Sequence, residues 1–246
     1  MRQIGLARVL SKRGYCSRSR AFELIRGGYV KLNGRICREP ETPVHLERDQ
    51  IEVRGSELLS QTKIYLMLNK PRGVITSAAD ERGRKTVYAF LKPCLSWVAP
   101  VGRLDKGSEG LLLLTNDSEW GARLSAPESH IDKTYHVQIG CVVNQEFTDQ
   151  INAGIKTKDG ELLRAKSARV LRKGEKNSWL EIVLDEGKNR HIRRMLEMLG
   201  VEVRRLVRVA VGPLVLGDLP KGSARPLTVR EKRSVDAAMR AGNHDT

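Results

Sequence analysis

The spacing of apolar residues changes several times along the chain, and each change marks a new element. Leu6, Val9 and Leu10 recur at helical spacing, Gly14 interrupts them, and Ser17 precedes a second helical stretch carrying Ala21, Leu24 and Ile25. From Tyr29 the period drops to two. Tyr29-Val30-Lys31-Leu32-Asn33-Gly34-Arg35-Ile36 alternates around Asn33-Gly34, a pair that accepts the two positive φ angles of a tight hairpin turn. Asp49 to Val53 predicts one more short strand, and the polar run from Gly55 to Lys63 predicts a linker.

Beyond the linker the pattern is rich in strands, with helices between them. Ile64 to Leu68 reads as a strand, Lys70-Pro71-Arg72-Gly73 as a turn and Val74 to Ser77 as its return. Leu111 to Leu114 is a continuous apolar run ending at Asn116-Asp117, the mark of a buried strand. Lys133 to Ile139 alternates strictly and places Lys133, Tyr135, Val137 and Ile139 on one face. Trp179 to Leu184 is a further strand. Asp185-Glu186-Gly187 then turns into a helix with Ile192, Met195, Leu196 and Leu199 on one stripe, stopped by Gly200, leaving Arg190, Arg193 and Arg194 off it. The expected fold class is α+β. Residues 1–60 form a small helix-helix-hairpin domain, 61–232 a domain built on a largely antiparallel sheet with flanking helices, and 233–246 a polar tail.

Charge narrows the function more than composition does. An apolar fraction of 40% is ordinary for 246 residues, but a net charge of +15 calls for a polyanionic partner, nucleic acid before a membrane surface. No apolar run approaches the roughly 20 residues of a spanning helix. Met1 to Arg20 lacks the continuous apolar segment and cleavage site of a signal peptide, so a cytoplasmic protein is expected. The first 38 residues hold ten Lys or Arg against one acid, Glu23. Cys16, Cys37, Cys94 and Cys141 form no C-x-x-C pair, and His130 and His136 have no cysteine or carboxylate neighbours at ligand spacing. No metal is assigned.

The segment Ser17-Arg18-Ser19-Arg20-Ala21, followed by Gly28-Tyr29-Val30-Lys31-Leu32-Asn33-Gly34, resembles the small RNA-binding domain named after the fourth small-subunit ribosomal protein. Such a domain grips structured RNA by a helix face and a loop. Its candidate contacts here are Arg8, Lys12, Arg13, Arg18, Arg20, Arg26, Lys31 and Arg35.

Candidate chemistry lies in Gly102-Arg103-Leu104-Asp105-Lys106-Gly107-Ser108-Glu109-Gly110, a loop delivered by the strand behind it. Its glycines do not make a phosphate loop, because Ser108 stands where that motif needs lysine. One aspartate in such a loop is, alone, a turn former. The company of Asp105 changes that reading. Gly102-Arg103-Leu104-Asp105 with Glu109-Gly110-Leu111-Leu112-Leu113-Leu114-Thr115-Asn116-Asp117 resembles the signature of the ribosomal RNA pseudouridine synthases of the RsuA/RluB type. Asn69-Lys70-Pro71 with Gly73, Lys133-Thr134-Tyr135 and Glu186-Gly187-Lys188-Asn189-Arg190-His191-Ile192-Arg193-Arg194-Met195 follow in the family's order.

The resemblance implies isomerisation of a uridine in ribosomal RNA, without cofactor, by an enzyme expected to act as a monomer on ribosomal RNA or a pre-ribosomal particle. Asp105 is implied to be the catalytic carboxylate, as nucleophile or as base. Arg193 is implied to pair with it and keep it charged where water is excluded; a surface bridge to Glu197 is the bland alternative. Tyr135 is implied to stack on the target base. Arg103 is implied to fill the space the flipped nucleotide leaves or to grip its phosphate, Leu206 to line the uracil pocket, and Lys133 and Lys70 to serve substrate binding. Arg190, Arg194, Arg204, Arg205 and Arg208 are candidate phosphate contacts in the cleft. The leucine run and Arg193-Arg194-Met195 lean toward a large-subunit target, whereas Lys133-Thr134-Tyr135 and Arg225-Pro226-Leu227-Thr228 also suit a small-subunit one. The residues leave two other readings open: a non-catalytic RNA-binding assembly factor on the same scaffold, and a metal-dependent nuclease using Asp105 and Glu109.

Overall fold

The computed structural model describes residues 3–59, 62–77, 83–92 and 97–241. The amino-terminal domain runs β1 (Ile4–Gly5), α1 (Leu6–Lys12), α2 (Arg18–Arg26), β2 (Val30–Leu32), β3 (Arg35–Ile36), β4 (Pro43–Val44), β5 (Ile51–Val53) and β6 (Ser56–Glu57). Ser17 caps α2 by accepting from the Arg20 amide. The β2–β3 hairpin turns on Asn33, at φ 52°, and Gly34, at φ 78°, a backbone that few other residues adopt readily. Leu6, Leu10, Ala21, Ile25, Val30 and Ile51 share one buried core. Each buried aliphatic side chain contributes about 1.5–3 kcal/mol, against at most about 1 kcal/mol for a surface ion pair. Packing, not charge, holds this basic unit together.

The linker expected from Gly55 to Lys63 is corrected at its start. Ser56–Glu57 pairs with β5, and Leu58 is buried in the domain core, because its apolar side chain has that core within reach.

The second domain contains β7 (Tyr65–Lys70), β8 (Ala99–Val101), β9 (Glu109–Thr115), α3 (Ser118–Ser125), β10 (Lys133–Ile139), α4 (Gln145–Ala153), β11 (Ile155–Lys156), β12 (Leu162–Leu163), β13 (Ser167–Lys173), β14 (Ser178–Leu184), α5 (His191–Met198), β15 (Val203–Val211), β16 (Leu214–Val215), β17 (Ala224–Pro226) and α6 (Val229–Ala241). One large sheet takes the order β13-β14-β10-β15-β9-β7-β17, with β8 added to β9 and β16 to β15. Its pairings are antiparallel except β15 with β9.

That exception is a narrow seam. Two register pairs, Val207 with Glu109 and Arg208 with Gly110, join the two halves of the sheet. Gly110 has φ +101°, and a Cβ there would lie 2.2 Å from the Arg208 carbonyl oxygen, so only glycine lets the backbones approach. On one side of the seam Val137, Leu180 and Ile182 pack on Ile192, Met195 and Leu196 of α5. On the other, Leu68, Leu112 and Leu114 pack with Leu104 on one face of the sheet, and Met67, Leu111 and Leu113 with Trp120 on the opposite face.

Two further expectations are corrected. Val74 to Ser77 does not return as a strand: Ile75 makes an isolated bridge to Thr86, and the Thr76 hydroxyl bonds the backbone of Leu104 instead. The boundary at 232 is the second: the polar tail of 233–246, which the sequence leaves open between helical and frayed, is as far as Ala241 the continuation of helix α6, with Val235 and Met239 buried against Trp120 and Asp236 accepting from the Trp120 indole at 2.8 Å. A buried indole N–H needs an acceptor, and α6 supplies it.

The two domains touch along α1 and α3. Lys12 bonds Glu119, while the buried amide of Asn116 accepts from Ile64 N and donates to Thr62 O, with Gly14 packed against it. Cys16, Cys37 and Cys141 are free thiols; Cys94 lies outside the described residues. No helix among the described residues is long and apolar enough to cross a membrane.

Candidate active site

The loop bearing Asp105 is fastened from both halves of the sheet. Lys70, the last residue of β7, is fully buried and donates to the carbonyls of Pro71 (3.1 Å), Asp105 (3.1 Å) and Ser108 (2.8 Å). The Gly73 amide donates to Lys106 O at 2.7 Å, and Thr76 Oγ1 both donates to and accepts from the backbone of Leu104. Across the seam, Arg193 Nη2 reaches Gly107 O at 3.0 Å. The Asp105 backbone therefore has little freedom, while its side chain lies on the wall of a pocket.

This pocket, of about 640 Å³, is large enough for a nucleoside. Asp105 and Leu104 line it from one half of the sheet, Tyr135, Lys133, Leu206 and Arg208 from the other, with Arg103 and Arg190 on its exposed rim. Alternation explains the grouping. Tyr135 pairs with Arg208, and Val137 with Leu206, so these side chains share one face of β10 and β15. Tyr135 packs against the cores on both sides of the seam. Its ring is held in place at the meeting of the two halves.

Several cations are not where the sequence reading placed them. Lys70 was expected to bind substrate, but its donors go to Pro71 and to two carbonyls of the loop, and its burial leaves no surface for a ligand. Burial pulls its pKa down to about 8 against the opposing charges of Asp105 and Glu109. Arg193 was expected to pair with Asp105. Instead its guanidinium holds Gly107, two residues further on, and it forms no ion pair with Asp105 or Glu197 among the described residues. Its pKa is lowered by burial and by Arg190, with Asp105 pulling the other way.

Arg208 faces the pocket, is buried, and donates from Nε to Leu111 O at 2.7 Å, a bond that stitches the seam. Arg205 lies on the opposite face of the sheet, beside Gln138, bonded to Glu109 and stacked on Trp179. Leu206 in the pocket requires this, since neighbours on a strand face opposite ways. Arg204 is exposed beside Glu202 and does not line the pocket, and Arg194 is held by Glu161 at 2.6 Å. Lys133 stays on the wall and donates to Asp185 O, its pKa lowered by burial and by Arg208.

In the amino-terminal domain Arg8, Arg18, Arg20, Arg26, Lys31 and Arg35 are exposed. Lys12 and Arg13 are not free phosphate contacts: Lys12 bonds Glu119, and Arg13 donates to Leu58 O at 2.8 Å. Both face protein because α1 packs on α3 and on the end of its own domain.

Sequence reasoning missed Lys221. It reaches Glu109 from a glycine-rich turn without periodicity, so no local signal marks it. Thr76, buried Ser108 and buried His191 also belong to the loop or the pocket wall, and none was singled out. Glu109, a possible second acid for a nuclease, has its carboxylate occupied by Arg205 and Lys221 and does not line the pocket. Among the described residues no group of three His, Cys, Asp or Glu is placed to hold a metal ion.

Comparison with known proteins agrees with this construction. Residues 64–198 match the model of the RNA pseudouridylate synthases, and residues 4–51 that of the S4 domain. The chain is 38% identical over 240 residues to the ribosomal large subunit pseudouridine synthase B of Bacillus subtilis (strain 168), covering 97% of this chain and 98% of that protein. An uncharacterized RNA pseudouridine synthase of Aquifex aeolicus (strain VF5) is 37% identical over 232 residues, 94% of this chain and 93% of the relative. A crystal structure of a pseudouridylate synthase superposes with a TM-score of 0.66 at 31% identity, covering 94% of this chain and 99% of that one. With its pocket at the seam of the sheet and its likeness running through both domains, this chain belongs to the RNA pseudouridylate synthase family of isomerases and carries an S4 domain ahead of the catalytic one.

Proposed function

We propose that the protein converts a specific uridine of ribosomal RNA to pseudouridine, with Asp105 as the reacting carboxylate. The observation that carries this is the convergence of Asp105 and Tyr135, from opposite halves of the sheet, on one nucleoside-sized pocket. The target nucleotide leaves its helix, at a cost of a few kcal/mol that rim contacts such as Arg103 offset. Asp105 acts at the ribose, as nucleophile on C1′ or as base on a ribose proton, and the bond from C1′ to N1 breaks. Tyr135 and Leu206 hold the detached uracil while it turns. The bond from C1′ to C5 then forms, C5 loses its proton and N1 gains one. The reaction is redox-neutral and balanced without a co-reactant.

Arg193 acts by fixing Gly107 and by adding positive charge near the Asp105 loop. The exposed cations of the S4 domain grip the RNA away from the pocket. The similarity to the Bacillus subtilis enzyme supports large-subunit RNA as target. In this reading the substrate is free RNA or a pre-ribosomal particle, and the enzyme works as a monomer in the cytoplasm. Asp105→Asn should end pseudouridine formation in a ribosomal RNA fragment while keeping most of the RNA affinity; a variant as active as wild type would falsify this role. Mapping pseudouridines in cells with and without the protein identifies the site, and a change confined to small-subunit RNA would overturn the proposed target.

A further inference from the structure

Glu109 stands four residues after Asp105, at the start of β9, and is almost completely buried at 2% exposure. Its two carboxylate oxygens meet three donors: Arg205 Nε at 3.1 Å, Arg205 Nη2 at 3.2 Å and Lys221 Nζ at 2.5 Å. Arg205 belongs to β15, in the half of the sheet that supplies Tyr135 and Leu206. Lys221 belongs to the turn before β17, in the half that supplies Asp105. That turn is itself tied to β7, since Asn69 donates to Leu219 O and accepts from the Gly222 amide. One carboxylate thus connects both halves at the place where the backbone joins them by two register pairs.

We infer that Glu109 is a positioning residue, whose ionic contacts with Arg205 and Lys221 hold the seam shut and set the distance of Asp105 from the ribose held against Tyr135. Glu109 is not on the pocket wall. Any influence on the reaction must pass through the geometry of the loop. The seam is open to such control because the groups that react sit on different sides of it, and a displacement of about 1 Å in a reacting group can cost about 100-fold in rate. Burial opposes the charge of Glu109, but hydrogen bonds and charges from Arg205 and Lys221 outweigh burial and keep its pKa below the ordinary glutamate value. The contact is in place at neutral pH.

This inference rests on Asp105 being the reacting group, and its test separates the two. Single-turnover conversion at saturating enzyme and RNA affinity by filter binding are measured for Glu109→Gln, Lys221→Met and Asp105→Asn, well below each melting midpoint. Glu109→Gln should slow conversion by about 30- to 100-fold with RNA affinity within about threefold of wild type. Lys221→Met, a change at an exposed turn residue that leaves Arg205 in place, should slow it by about fivefold and decides the matter alone if Glu109→Gln does not fold. Glu109→Asp, which keeps the charge on a shorter arm, should recover part of the rate lost in Glu109→Gln. Wild-type rates in both the glutamine and the methionine variant, or rate losses matched by equal losses of affinity, would overturn the positioning role. If those variants are fully active while Asp105→Asn is dead, only this inference falls; an active Asp105→Asn removes the reading beneath it.

Discussion

In the S4 domain the side chains of Arg8, Arg18, Arg20, Arg26, Lys31 and Arg35 end at the surface, whereas around the pocket Lys70, Lys133 and Arg193 end on backbone carbonyls. The same residue types do different physical work. A surface cation displaces counterions from RNA and confers affinity that fades with salt. A cation among carbonyls fixes a loop, and its loss leaves buried acceptors unsatisfied at about 1–3 kcal/mol each. A count of positive charges therefore overstates the RNA-binding surface, because part of the charge of +15 is internal scaffolding.

The sharpest way to break this contrast is Lys70→Met, which keeps the volume and removes three hydrogen bonds. Conversion should fall by about 100-fold or more, and the melting midpoint should drop by several degrees, about 4–8 °C per kcal/mol in a small domain and less in a larger one. Wild-type rates in a stable variant would show that the loop does not depend on its internal cation. A weaker effect is expected from Arg8→Gln, Arg18→Gln and Arg20→Gln combined. Affinity for a long ribosomal RNA should fall by roughly 10-fold, and the slope of log affinity against log salt should flatten by about 2–3, one step of about 0.7–0.9 per lost phosphate contact. An unaltered salt slope would place the RNA elsewhere.

The smallest expected effect is in pH. Folded Lys70 loses its proton at about 8, against 10.5 as its ordinary value. A neutral amine has two donors for three carbonyls, so the rate should decline above about pH 8, and this limb should be missing in Lys70→Met. Between the two values the unfolded chain binds the extra proton, so the contribution of this group to stability rises with pH. Rate and thermal stability should therefore part company there, and a parallel fall of both in a pH series would rule Lys70 out as the cause.

What the sequence made visible follows the range of the physics involved. The Asn33-Gly34 hairpin, the span Lys133–Ile139 and the apolar stripe of α5 are written in spacings of two to four residues, and they match the structure. The parallel seam, joining residue 109 to residue 207, leaves no local trace. Val74 to Thr76 has the β-branched residues of a strand, yet a strand needs a partner, and Thr76 instead found the backbone of Leu104. The stretch 233–241 looked polar because it buries few residues; Val235 and Met239 count only once Trp120 is seen across from them. At the site the motifs brought Asp105, Tyr135, Leu206 and Arg103 to one pocket by resemblance. What they could not show was where each cation ends, since Arg193, Arg205 and Lys70 read alike in the sequence as basic side chains.

Helix α6 also gives the molecule an order of completion. Val235 and Met239 share a cluster with Leu113, Leu124 and Val211, which themselves form part of the pocket wall. On a ribosome, where domains fold as units from the amino terminus onward, the S4 domain can be finished while that cluster still waits for residues 229–241. The nascent protein has its grip on RNA before it has a closed reaction chamber, so a chain stalled before α6 would be a binder without being an isomerase.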